Sequence, residues 1–450
     1  MNSVGQLMWD FAPETSSEGE DESADGSSTN ANRYDGCSSE GATAQSPDGA
    51  PLRCVLNTAG ELMWDAASTA AANDNEPASG SLNAAFGGEC DPDGPKKYTT
   101  GVGNADHWAY VLPLGEMNFS HITPVDHLYM YYPKDAQQRP AGAFAVTSPA
   151  DGAIVDVQDF RKMNNWPYPD FRIVISHSCD LYTVFIHIGA LKGAAAQVEA
   201  LIPADGLWRG NIPVKAGEVI GDRSEAPKFD FSTFATAAKA NLLNPASYER
   251  GERWKPFTAN PYDYFPAEVT KTYEAKTLRT KQPVGGTIFY DIPGTAQGVW
   301  FVADTNGYAG IEGIKSVRSK KGFNESGYWD THLAIAPHFV DTSTFVYSIG
   351  DWDGCPCQFV SKGNVDPKTI KAGGAPVVVD LISFGYVTPS GEAMDIFSPV
   401  KDYKLLPKAE LVGSLAIQVN ADGTMTVEKR PKKTAASFTA FGPDALVYSR

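Results

Sequence analysis

The stretch "KFDFSTF" (228–234) sets a cation and a carboxylate two residues apart among large apolar and β-branched side chains. In an extended chain, residues i and i+2 share a face, so Lys228 and Asp230 are expected to point at one place. There they either neutralise each other or leave Asp230 to offer an oxygen to a cation. Other residues of reactive type are less well arranged. "HSCD" brings His177, Cys179 and Asp180 together, but triad members meet through the fold rather than through adjacency, so a turn histidine is expected instead. His332 and His338 stand six apart; in a strand they would share a face yet lie about 20 Å apart, too far for a ligand pair. "ECDPDG" and "GDWDGCPC" are oxygen-rich, but neither completes a calcium loop with its distal Glu, so calcium is only weakly indicated.

These residues need elements to hold them. From about Trp108 the chain carries short β-branched runs such as "AFAVTSP", "AIVDVQDF", "FRIVISH" and "YTVFIHIG", punctuated by Gly, Pro and Asp, which read as antiparallel strands. "TFATAAKANLLNPASYERGERW" (233–254) is Ala-rich and reads as one helix ending near Asn244-Pro245. A second β-rich unit begins around Thr287. In it, "NADG" between "SLAIQV" and "TMTVEK" signals a hairpin, since Asp-Gly suits a tight turn with positive φ. The aromatic clusters "YMYY", "NWPYPDF" and "NPYDYFP" are expected to seal junctions between units rather than to stack sugar rings.

The chain has 450 residues, 42 of them Gly and 31 Pro, with a formal net charge of −17. Residues 1–95 hold 17 acidic and 2 basic side chains, a net of −15, so the remainder is nearly neutral. No basic patch or run stands out along the chain, and no nucleic-acid partner is expected. The acidic head is too poor in large apolar residues to offset chain entropy and is expected to be disordered. It contains two near copies, "VGQLMWDFA" (4–12) and "AGELMWDAA" (59–67), candidate docking segments with Trp as anchor. Six cysteines suit disulfides in an oxidising compartment; Cys355 and Cys357, with one residue between them, are expected to need separate partners or to be reduced. No apolar run reaches transmembrane length, and the start lacks the pattern of a signal peptide.

"SPADGAIVDV" (148–157) and "PVKAGEVIGD" (213–222) echo each other, each placing a Gly turn before an apolar strand. This resembles the duplicated hybrid motif of lipoyl-type domains and lysostaphin-type zinc endopeptidases. A lipoyl carrier would present its lysine beside Met or Asp in a tight hairpin, and "FRKMNNW" (160–166) does not supply that pattern. Over about residues 120–234, "HITPVDHLYMYY", "FRIVISHSCDLYTVFIHIGAL" and "VKAGEVIGDRSEAPKFDFSTF" follow the order and spacing of the endopeptidase family. The resemblance implies metal ligands at His121 and Asp126, here five apart rather than four, and a catalytic histidine at His187. It also implies a His-x-His where this chain has Lys228 and Asp230, so a zinc set would have to be His121, Asp126 and Asp230. His127 would replace His121 only by pointing to the opposite face.

The expected architecture is mainly β. An acidic low-complexity segment (1–98) precedes a peptidase-like duplicated-hybrid-motif domain (105–235), a helix and linker (236–286), and an accessory β barrel or sandwich (287–450). The expected function is an exported or cell-surface protein whose peptidase-like domain has lost catalysis and serves as a binding or structural scaffold. The alternatives are a zinc-dependent peptidoglycan endopeptidase with altered ligands and a self-assembling structural subunit. No cofactor is expected unless the site is active, when it would be zinc. Expected partners are a cell-envelope glycan or peptide, or a protein engaging the Leu-Met-Trp segments.

Overall fold

The computed structural model describes residues 43–45, 51–56, 62–66, 81–140, 142–164, 166–238, 242–249, 251–310 and 328–450. The first Leu-Met-Trp copy and most of the acidic head lie outside the described residues. The second copy forms β3 (Leu62–Ala66), the edge of a small antiparallel sheet with β1 (Thr43–Gln45) and β2 (Pro51–Leu56).

A nine-stranded sheet follows. It contains β4 (Tyr110–Leu112), β5 (Leu128–Tyr131), β6 (Val146–Thr147), β7 (Gly152–Asp159), β8 (Phe171–Ser178) and β9 (Leu181–Leu191). It is completed by β10 (Leu207–Val214), β11 (Val219–Arg223) and β12 (Lys228–Ala235). The main path runs β10-β7-β8-β9-β12-β5-β4, with β11 paired to β6 and β9. The two echoing segments lie side by side, Val214 opposite Gly152 and the Ser148 amide donating to the Glu218 carbonyl. All eight residues of β8 are buried, as befits a central strand, the polar Arg172, Ser176, His177 and Ser178 included.

The second unit is a closed barrel of eight antiparallel strands. Its strands are β13 (Gly298–Val302), β14 (His332–Pro337), β15 (Phe345–Trp352), β16 (Cys355–Ser361), β17 (Val377–Val387), β18 (Lys404–Val419), β19 (Met425–Pro431) and β20 (Leu446–Ser449). Each pairs with the next, and β20 closes on β13. Period-2 alternation sorts the side chains. Trp300, Leu333 and Ile335 pack in one apolar cluster with Leu415 and Ile417. Their neighbours Val299, Phe301, Ala334 and Ala336 face the other way, against Leu112, Met117, Val125 and Tyr129 of the first unit. That second cluster joins sheet to barrel. The "NADG" hairpin is present between β18 and β19, with Gly423 at φ 89°.

Three expectations are corrected. Thr233 and Ala235 do not start a helix; they continue β12 and pair with Thr183 and Leu181 of β9. Pairing on a buried strand overrides the helical preference of alanine there. A ten-residue helix stands later, at Ala267–Lys276. The stretch 81–98, assigned to the acidic head, is folded onto the sheet. The short helix α1 (Leu82–Phe86) buries Leu82 and Phe86, and Cys90 is disulfide-bonded to Cys179. Finally, Cys355 and Cys357 are bonded to each other. Residues i and i+2 of a strand present their side chains on one face, and their Cα atoms stand 5.8 Å apart, within disulfide range.

Candidate functional site

Strand β12 brings Lys228 and Asp230 to one face, as the spacing requires. Lys228 Nζ lies 2.7 Å from Asp230 Oδ1 and 3.7 Å from the ring centre of Tyr129, the residue opposite Asp230 on β5. The second carboxylate oxygen, Oδ2, faces two imidazoles: His127 Nε2 at 3.4 Å and His187 Nε2 at 3.7 Å. Burial works against the charge of Asp230, but Lys228 and the two histidines together hold its carboxyl below the usual range.

Both imidazoles are oriented in the same way. His187, on β9 at φ 67°, places Nδ1 2.9 Å from Asp170 Oδ2, and its ring lies parallel to Trp166 at 6.0 Å. Asp170 is fully buried, and burial raises its carboxyl pKa against the pull of the His187 hydrogen bond. His127 places Nδ1 3.2 Å from Asp126 Oδ1. The other Asp126 oxygen accepts from Trp254 Nε1 at 3.0 Å, with Lys255 Nζ 3.8 Å away. Against the cost of burial, Lys255 and these hydrogen bonds keep Asp126 well below the usual carboxylate range. In each pair a carboxylate beside Nδ1 fixes the ring and turns Nε2 towards Asp230.

The group lines a cavity of about 260 Å3 at the seam between the units. The first unit supplies His127, His187 and Asp230; Tyr308 and His332 close it from the barrel side. His332 is buried on β14, donates from Nε2 to the Tyr308 carbonyl at 2.9 Å, and is pushed down to about 3 by burial.

The structure therefore brings together Lys228, Asp230 and His187, and rearranges the rest of the expected set. His121 lines the same cavity but is an exposed residue. His127 takes the place beside Asp230. The objection that neighbours point to opposite faces does not apply, because residues 121–127 precede β5 and are not a strand. Asp126 lines the same cavity, with its oxygens on His127 Nδ1 and Trp254 Nε1. Asp170, Trp254 and Lys255 were missed: the last two lie within the segment read as a helix and just beyond it, and no local pattern marks Asp170.

The remaining candidates have structural roles. His177 is not in a turn; β8 runs on to Ser178, and the buried ring donates from Nδ1 to the Asp151 carbonyl and accepts from the Thr183 hydroxyl. Cys179 is in the disulfide with Cys90, so it is no free nucleophile. His338 Nδ1 accepts from the Val340 and Asp341 amides. In the two oxygen-rich stretches, Asp91 and Asp351 each cap a turn amide, Asp93 N–H and Gly354 N–H. Among the described residues, no three His, Cys, Asp or Glu side chains stand as a metal-holding group.

No protein-family model matches the chain, and no curated protein matches it. Among solved structures it is similar to the NMR solution structure of lysostaphin, at 10% identity over 72% of this chain and 80% of that one, with a TM-score of 0.18. A likeness of that size lends no weight to a function.

Proposed function

We propose that this chain is an exported or cell-surface protein in which a peptidase-like β frame has lost catalysis and serves as a binding or structural scaffold. The observation that carries the reading is the 2.7 Å contact between Lys228 Nζ and Asp230 Oδ1. A lysine ammonium has three donors and no lone pair, so it neither ligates a cation nor takes a proton from water. Held against Asp230, it also neutralises the carboxylate on which a metal would depend.

The zinc implied by the resemblance does not fit the residues expected to hold it. Asp126 spends both oxygens on His127 and Trp254, and Asp230 gives one of its two to Lys228. The cavity is small, and the barrel's Tyr308 and His332 form part of its wall. Such a centre suits a polar seam that locks two units together. The Cys90–Cys179 disulfide supports an oxidising compartment. No helix among the described residues is long and apolar enough to cross a membrane. The stacked, half-buried pair Tyr110 and Tyr131, ring centres 4.6 Å apart, packs against the apolar cluster between sheet and barrel, which suits the same locking role.

One observation favours the endopeptidase alternative: His127 Nε2 is buried without a hydrogen-bond partner and faces Asp230. Metal content separates the two readings. Full-length protein loaded with excess zinc and desalted is expected to retain far less than one zinc per chain by elemental mass spectrometry. Retention of about one equivalent, lost in Asp230→Asn, would instead establish a metal centre.

A further inference from the structure

The two disulfides described here differ in what they do for the fold. Cys90–Cys179 joins residues 89 apart, ties α1 and its following loop to the end of β8, and removes much freedom from the unfolded chain. Cys355–Cys357 spans two residues, and the residue between them is a proline whose φ is already fixed. Closing so short a ring removes almost nothing from the unfolded chain, so stability gives this bond no purpose. Its position suggests another one. It lies just past the tip of the β15–β16 hairpin, whose Asp353 and Gly354 both take positive φ, 52° and 92°. That backbone is the one a tight two-residue hairpin demands, so the turn presents both cysteines in fixed register. Trp352 and Phe359 pack edge to face beneath it, 5.1 Å apart. Both cysteines are only half-buried, which leaves the bond open to an incoming thiolate.

We propose that Cys355-Pro356-Cys357 is a thiol–disulfide exchange site that accepts two electrons from a protein or peptide dithiol. The sulfurs are not equivalent. Cys355 Sγ stands 3.2 Å from the Trp352 carbonyl oxygen, which receives a hydrogen bond once that sulfur becomes a thiol. A carbonyl acceptor favours the thiol over the thiolate at Cys355, and Cys357 packs against the barrel core. Cys357 is therefore the leaving group, and the substrate thiolate attacks Cys355 Sγ. A substrate–Cys355 bond forms as the Cys355–Cys357 bond breaks, and the Cys357 thiolate takes a proton from water. The second substrate thiolate then attacks the substrate sulfur of the mixed disulfide; Cys355 leaves, takes a proton from water and donates it to the Trp352 carbonyl. The substrate dithiol loses two electrons and two protons and becomes a disulfide, while the chain gains two thiols. One chain thus oxidises one dithiol.

The test uses the oxidised full-length chain and a reduced synthetic peptide bearing two cysteines. The expected result is about one peptide disulfide per chain, with new thiols mapped by alkylation and mass spectrometry to Cys355 and Cys357 while Cys90 and Cys179 stay bonded. Peptide oxidation should vanish in the C355A/C357A double variant. With oxidised peptide, Cys357→Ala should accumulate a covalent adduct on Cys355 faster than Cys355→Ala does on Cys357. The double variant should melt within a few degrees of the parent. Equal peptide oxidation by the double variant would overturn the proposal. So would a Cys355–Cys357 bond that survives excess peptide, or a loss of about ten degrees in the double variant, which would assign the bond to stability.

Discussion

Asp230 serves three partners with two oxygens, and only Lys228 among them is at full hydrogen-bonding distance. Lys228→Ala leaves a carboxylate that is 4% exposed facing two imidazoles and no ammonium. The expected cost is about 1–3 kcal/mol, below the figure for a fully buried pair because the Lys228 side chain retains some solvent contact. Denaturant unfolding measures it; an unchanged midpoint would show that the pair holds nothing. At this scale the sequence was legible wherever strand period decides direction. Lys228 and Asp230 converge because i and i+2 must, and the β12–β5 register then sets Tyr129 beneath them. The exchange of His127 for His121 was not legible, since residues 121–127 follow no period and their directions are set by contacts with Trp254 and Lys255 from far along the chain.

Among the elements, the stretch running through α1 matters most to the site. Phe86 lies between Tyr182 and Trp254, parallel to both at 5.4 Å, and Trp254 in turn hydrogen-bonds Asp126. A chain of contacts thus leads from the Cys90 tether to the His127 ring. Phe86→Ala should cost about 3–5 kcal/mol from the lost burial and the cavity left behind. It should also weaken the near-ultraviolet dichroism of Trp254, whose ring is then less tightly held; a thermal midpoint equal to the parent's would remove α1 from the core. The sequence signal for this element was drowned by its setting. Leu82 and Phe86 are two large apolar residues at the end of a long polar, acidic stretch, and a composition window averages them away. The misplaced helix has the opposite origin. Alanines in 235–240 carry helix propensity, yet Ala235 completes the β12–β9 ladder, and a ten-residue helix forms instead over Ala267–Lys276, burying only Tyr273.

Across the whole molecule, sheet and barrel share an apolar seam and a set of histidines buried neutral. Burial pushes His177 down to about 4 and His332 and His338 down to about 3. A histidine with a lowered folded pKa binds fewer protons folded than unfolded, so its burial is tolerated above pH 6.5 and penalised as pH falls below it. At pH 5 each should cost about 2 kcal/mol relative to pH 7. Glu116, which burial pushes up to about 6, works the other way between its unfolded value and 6, and burial also raises the carboxyls of Asp170, Glu252 and Asp291; the three histidines, at about 2 kcal/mol each, set the sign over this window. Calorimetric melting temperatures should therefore fall steadily from pH 7 to pH 5, and a flat profile would mean that these rings are hydrated. The mainly β character, the NADG hairpin and a second β unit were all legible, since strand period and turn chemistry are local. Closure of the barrel and its seating on the sheet were not, because both depend on which strand edges meet.

The central claim is that Asp230 is committed to Lys228 rather than to hydrolytic chemistry. Its most direct test is the release of new amino groups when full-length protein with excess zinc is incubated with peptidoglycan and with glycine-rich peptides. Release at the rate of the protein-free blank is the expected result, in the parent and in His187→Ala alike. Cleavage above the blank that disappears in His187→Ala or Asp230→Asn would contradict it.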